Sequence, residues 1–228
     1  MISIVIPVFN QVEFLADAIE SALLQRPQRN RTEIEVICVD DGSTDGSGNV
    51  ADGYKEIKVI HQVNKGLSSA RNTGLMNVED NDYVLFLDAD DILLEGAINK
   101  IWDKILETKA DIIAPSFKEF GLSQREVILG NPTLEDFKTA NRIGYCAAIR
   151  RSALLAVGGY SPRMVEGYED LHLWINLLSK GFTLSTISDI LWLYRVRENS
   201  MYNKITLEIH KKLIGQINRD FPNVQLSF

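Results

Sequence analysis

The chain is expected to fold as an α/β protein with a mostly parallel, doubly wound sheet flanked by helices. Short β-rich apolar runs alternate with amphipathic helical stretches through the first half of its 228 residues. The run Tyr83-Val84-Leu85-Phe86-Leu87 is continuously apolar, as suits a strand buried on both faces, and it passes directly into Asp88-Ala89-Asp90-Asp91. Two further strand-like runs behave alike: residues 34–39 end in Asp40 and Asp41, and residues 2–6 end in Pro7-Val8-Phe9-Asn10. Right-handed crossovers bring such strand ends to one sheet edge, where open α/β sheets bind ligands.

Residues 2–6 are β-rich and stopped by Pro7. A helix is expected over 13–25, with Phe14, Leu15, Ala18, Ile19, Ala22 and Leu23 on one stripe and Pro27 beyond it. After the strand 34–39, Gly42-Ser43-Thr44-Asp45-Gly46 is a loop of turn and capping residues. A strand over 57–60, a helix over 66–77, the strand 83–87, a helix over 93–107 and a strand over 111–114 follow. Residues 116–141 mix charges, glycine and proline, as a variable flap would. Beyond lie a short helix at 152–157, a loop over 162–168, a helix over 169–180 closed by Gly181, strands at 183–187 and 190–194, and a terminal helix over 205–221. No repeat or linker divides the chain, so 1–228 is expected to be one domain.

Asp88 and Asp90 are two residues apart, so on an extended backbone their side chains share a face. Two hard oxygen ligands at one point suit Mg2+ or Mn2+ together with a substrate phosphate. The competing reading is an acidic turn in which Asp91 caps the helix that follows. A cluster of acids in a crevice is costly unless a cation neutralises it.

Composition removes several classes. The net charge of −7 argues against a nucleic-acid partner, because phosphate backbones attract basic surfaces. Two cysteines, Cys38 and Cys146, form neither a disulfide framework nor a zinc pattern. No apolar run approaches the ~20 residues that cross a bilayer, and the N-terminus lacks the features of a signal peptide. A soluble, cytoplasmic protein is expected; peripheral membrane contact by the terminal helix is the less common outcome for a polar helix face.

Successive segments resemble family 2 glycosyltransferases. They are Pro7-Val8-Phe9-Asn10, Val39-Asp40-Asp41-Gly42-Ser43-Thr44-Asp45 and Asn64-Lys65-Gly66-Leu67-Ser68-Ser69-Ala70-Arg71-Asn72-Thr73-Gly74. Leu87-Asp88-Ala89-Asp90-Asp91 is similar to that family's Asp-x-Asp motif, and Glu169-Asp170 to its acceptor-side acidic motif. Tyr194-Arg195-Val196-Arg197-Glu198-Asn199-Ser200-Met201 resembles its closing Tyr-Arg stretch. The resemblance implies a GT-A (Rossmann-like) fold, with residues 1–114 as the nucleotide-sugar half and 115–228 as the acceptor-side half. It implies transfer of a sugar from a nucleotide diphosphate donor, a UDP-sugar above all, to a hydroxyl of a glycan or glycolipid, with inversion and with Mn2+ or Mg2+.

By the same resemblance Pro7, Phe9 and Asp41 bracket the nucleobase, and Lys65 and Arg71 lie in the nucleotide-contacting segment. Asp88, Ala89 and Asp90 address the ribose and the metal-bridged diphosphate, with Asp88 and Asp90 as metal ligands. Asp170 is the general base, and Glu169 orients the nearby backbone or the acceptor. Where the family often has His, this chain has Arg197. A guanidinium cannot ligate a cation but can clamp a diphosphate bidentately, so Arg197 is assigned to the leaving group.

The chemistry has use for each. A divalent ion stabilises charge on the departing phosphates, and a carboxylate takes the proton of an acceptor hydroxyl. A catalytically inactive nucleotide-sugar-binding module is the alternative; binding alone, however, requires no base. His61, His172 and His210 are scattered and expected outside the chemistry, His172 explained as well by a surface helix position as by the acceptor side. Trp102, Trp174 and Trp192 are expected in the core.

Overall fold

The computed structural model describes residues 1–25, 34–78, 83–198, 200 and 202–228. Its strands form one sheet in the order β3-β2-β1-β4-β8-β6-β9-β5, with β7 pairing on β6. Strands β1 (Ile2–Val8), β2 (Ile34–Asp40), β3 (Lys58–His61) and β4 (Tyr83–Phe86) are mutually parallel. Strands β6 (Ile112–Gly121) and β9 (Leu184–Val196) are parallel to each other along their length. Strand β8 (Ala148–Arg150) is inserted antiparallel between β4 and β6. The short β5 (Ile92–Leu93) and β7 (Glu126–Val127) are antiparallel to β9 and β6. The expected mostly parallel α/β sheet is therefore present.

Helices α1 (Leu15–Leu23), α2 (Ser47–Asp52) and α4 (Ala97–Thr108) cover one face. Helices α3 (Leu67–Asn77), α5 (Arg151–Val157), α6 (Glu169–Ser179) and α7 (Leu207–Asp220) cover the other. The pleat divides β1 between them: Ile2, Ile4, Ile6 and Val8 enter the first core, Val5 the second. Helix α3 lies very close to the sheet, and Gly74 is the reason. A Cβ there would stand 2.2 Å from Val5 Cγ1.

Several local expectations are corrected. The helix expected from residue 93 begins at Ala97, because Ile92 and Leu93 pair with β9 instead. The strands expected at 183–187 and 190–194 are one strand, irregular against β6 around Ser116. The strand expected at 111–114 runs to Gly121. Strand β8 and helix α2 fall where no element was expected. The stop expected at Pro27 lies outside the described residues. Trp174 and Trp192 are fully buried, as expected of core residues, and no described helix is long and apolar enough to cross a membrane.

Candidate active site

A cleft of about 720 Å³ opens at the carboxyl ends of β1, β2 and β4. Pro7, Phe9, Asp41, Asp88, Ala89, Asp90, Glu169, Asp170 and Arg197 all line it. Parallel register explains the first three. Val8 pairs with Asp40, so the next residues of the two strands leave the sheet together, joined by the Asp41 N–H donating to Val8 O at 2.8 Å. Phe9 stands 47% exposed, an apolar ring in the open. Asp41 is buried and accepts from Gln62 Nε2 at 2.6 Å, Lys65 N at 2.9 Å and Gly66 N at 2.8 Å. Its carboxylate thus folds the 62–66 loop over the strand ends, with about one of its four accepting positions left for a ligand.

After β4 the backbone turns, and the Asp91 N–H donates to Asp88 O at 3.1 Å. The extended geometry expected to align Asp88 and Asp90 is therefore corrected: a tight turn, not strand alternation, brings both to the cleft. Each already has a counter-charge. Asp88 Oδ1 accepts from Arg71 Nη2 at 2.7 Å, and Asp90 Oδ2 pairs with Arg197 Nη2 at 2.5 Å. Burial pushes the Asp88 carboxyl up to about 6, against the pull of Arg71 and with a further push from Asp90. Asp91 caps nothing. It is buried and accepts from Arg195 N at 2.7 Å and the Tyr145 hydroxyl at 2.5 Å, burial raising its pKa strongly. The same Tyr145 hydroxyl accepts from the Asp88 N–H at 2.9 Å.

The end of β9 supplies cations to the same edge. Arg195 donates from Nε to Asp90 O at 2.8 Å and lies between the Phe14 and Phe120 rings, 4.5 and 4.3 Å from their centroids. Arg197 lies 4.9 Å over Phe14. Guanidinium groups thus supply counter-charge to the acids at this edge, Arg71 to Asp88 and Arg197 to Asp90.

A separate part of the wall is the start of α6. Tyr168 enters it with φ 58, a left-handed conformation that costs a non-glycine residue energy and recurs at functional positions. Asp170 Oδ1 accepts from Leu171 N at 2.7 Å, and Oδ2 from Asn141 Nδ2 at 2.8 Å. Burial, then the neighbouring Glu169 charge, raises the Asp170 carboxyl to about 7 despite those two donors. A carboxylate poised near neutrality suits proton abstraction.

Three expected roles need revision. Arg71 has no exposed surface and lies behind the cleft wall, with one Nη on Asp88 and the other on Glu169. Glu169 points inward: its Oε1 accepts from Arg71 Nη1 at 2.8 Å, so this oxygen is turned to the interior rather than to an acceptor. Lys65 is exposed beside the cleft, and its backbone N–H, donated to Asp41, is the contact that builds the site. His172 is buried against Asp220 rather than on a surface, its Nε2 3.1 Å from Asp220 Oδ2. Sequence reasoning missed Tyr145 and Asn141. The first precedes an unrecognised strand and the second sits in the stretch assigned to a flap, and neither carries a motif.

Could these residues hold a divalent ion? Among the described residues no three His, Cys, Asp or Glu side chains stand together as a complete metal site. Asp90 and Asp88, two hard carboxylates on the cleft wall, fit Mg2+ or Mn2+ in its usual mode, one or two carboxylates completed by substrate phosphates and water.

Known proteins resemble this chain in sequence and in fold. Residues 3–158 match the family model described as glycosyl transferase family 2. The chain is 34% identical over 125 residues to glycosyltransferase GlyG of Streptococcus pneumoniae serotype 4, covering 53% of this chain and 40% of GlyG. It therefore spans well under half of that relative. To the putative teichuronic acid biosynthesis glycosyltransferase TuaG of Bacillus subtilis strain 168 it is 28% identical over 215 residues, covering 88% and 81%. Residues 1–349 of S. aureus TarS, crystallised with UDP-GlcNAc, share the fold with a TM-score of 0.80 at 19% identity, over 99% of this chain and 68% of that one.

Proposed function

Since this chain belongs to glycosyl transferase family 2, we propose that it transfers a sugar from a UDP-sugar to a hydroxyl of a glycan or glycolipid, with inversion and with Mn2+ or Mg2+. The reading places it in the cytoplasm as a maker of polysaccharide or glycoconjugate. The observation that carries it is the meeting, in one cleft, of Phe9 and Asp41, of Asp88 and Asp90, and of Asp170. The UDP-GlcNAc bound to TarS supports a nucleotide-sugar donor, and the teichuronic acid biosynthesis in TuaG's name supports a glycan as acceptor.

In this reading Pro7 and Phe9 flank the nucleobase while Asp41 spends its remaining acceptor position on a base N–H. The free oxygen of Asp88 takes a ribose hydroxyl or shares a cation with Asp90. The ion, when bound, supplies positive charge against the leaving diphosphate. Arg197 leaves Asp90 for the phosphates, where a planar fork binds two oxygens at once. Asp170 takes the proton of the acceptor hydroxyl as the new bond forms, typically worth about 10²–10⁴ in rate.

A thermal-shift panel of nucleotide sugars with and without Mn2+ tests donor and ion together. UDP-sugars are expected to stabilise the protein most, and more so with Mn2+. Equal shifts from every nucleotide, unaffected by EDTA, would refute the donor assignment. Proton NMR of the product then reads the anomeric configuration, and retention would exclude the single displacement.

A further inference from the structure

We propose that Arg71 is a positioning residue of the transfer reaction: its guanidinium ties the acid-bearing end of α6 to Asp88, holding Asp170 in register with a donor at the strand ends. The proposal rests on the sugar-transfer reading above.

The geometry is that of a rivet. One planar fork reaches Glu169 Oε1 with Nη1 at 2.8 Å and Asp88 Oδ1 with Nη2 at 2.7 Å, joining positions 98 and 17 residues away. Tyr145 and Tyr160 hold it, their ring centroids 5.1 and 4.9 Å from its central carbon. Tyr160 is in turn clipped by the next residue of α3: Asn72 Nδ2 donates to Tyr160 O and Tyr160 N to Asn72 Oδ1, each at 2.8 Å. Four residues distant from it in sequence, Asp88, Tyr145, Tyr160 and Glu169, thus converge on one side chain, and the residue after Glu169 is Asp170.

Stability alone is a poor reason for this arrangement. A buried charge network is often no more stabilising than apolar residues of similar volume. Here one guanidinium serves two acids, and its Nε has no hydrogen-bond partner among the described residues. What the fork supplies is a fixed distance, which a lysine, a point charge on a flexible stem, cannot reproduce.

The test uses the whole chain with UDP-sugar at pH 8.5, where Asp170 is ionised, and the variants Arg71→Met, Arg71→Lys, Glu169→Leu and Arg71→Met/Glu169→Leu. Because Arg71 also holds Asp88, UDP affinity by calorimetry is read in Glu169→Leu, where it is expected to stay within about threefold of wild type, while kcat falls by about tenfold or more in each single variant. The double variant should lose no more than the worse single, because both remove the same tie. Arg71→Lys should not rescue kcat. If Arg71→Met does not fold, Glu169→Leu still removes the acceptor of the tie with the guanidinium in place, and it decides the matter. Wild-type kcat in Glu169→Leu, losses that multiply in the double variant, or UDP affinity of Glu169→Leu falling in step with its kcat would each overturn the role. Failure of the reading beneath it looks different: wild type consumes no nucleotide sugar, or Asp170→Asn turns over normally, and the proposal then falls with it.

Discussion

Replacing Asp170 by Asn is expected to stabilise the fold while abolishing transfer, with the gain absent below about pH 4, growing from there and complete above about pH 7. The carboxyl is raised from 3.8 to about 7 by burial and by the charge of Glu169. The native state therefore binds this proton more tightly than the unfolded chain does. Its contribution to stability is complete below pH 3.8 and is lost as pH rises through about 7. Above that, the folded protein carries an ionised acid beside a like charge, at a cost of roughly 4 kcal/mol as an upper bound. Asparagine keeps an oxygen for the Leu171 N–H and never ionises. A gain of about 2 kcal/mol at pH 8 would raise the melting temperature by about 4–8 °C for a chain of this size. Urea denaturation of wild type and variant at pH 4 and pH 8 measures it. The wild-type enzyme should show, in parallel, an acidic limb of kcat/KM near pH 7. A variant no more stable than wild type at pH 8, or a gain of equal size at both pH values, would refute the reasoning.

Three further outcomes are expected. Arg197→Met should tighten Mn2+ binding to the nucleotide-free protein by roughly fivefold, since even a partly solvated cation beside Asp90 opposes a second one by about 1 kcal/mol; the same variant should weaken UDP more than uridine, both by calorimetry. Gly74→Ala should destabilise by about 2–3 kcal/mol in urea, because its Cβ would overlap Val5 and force α3 off the sheet. Asp41→Asn should lower UDP affinity by about tenfold or more and expose the 62–66 loop to protease, since an amide nitrogen would face backbone N–H donors that now meet a carboxylate.

The parts legible in the sequence are those written in short-range pattern. Apolar runs entering acids located β1, β2, β4 and the edge where they end, because buried parallel strands carry continuous apolar stretches and their crossovers have one hand. Strand β8 was not legible: three residues make too short a period to read, and its pairing is decided by β4 and β6, which it joins from far along the chain. Arg71 shows the same limit in the site. Its segment could be located, but helix α3 turns the side chain inward, and only the folded packing of Tyr145 and Tyr160 reveals that orientation. Likewise, alternation gave the neighbourhood of Asp88 and Asp90, while the turn that sets their directions depends on the long-range bonds of Asp91 to Arg195 and Tyr145.

The pairing of Asp88 with Arg71 and of Asp90 with Arg197 means that positive charge is built into the polypeptide at the edge where these two acids meet. Their mutual repulsion is offset as soon as the chain folds, whatever the cleft later receives.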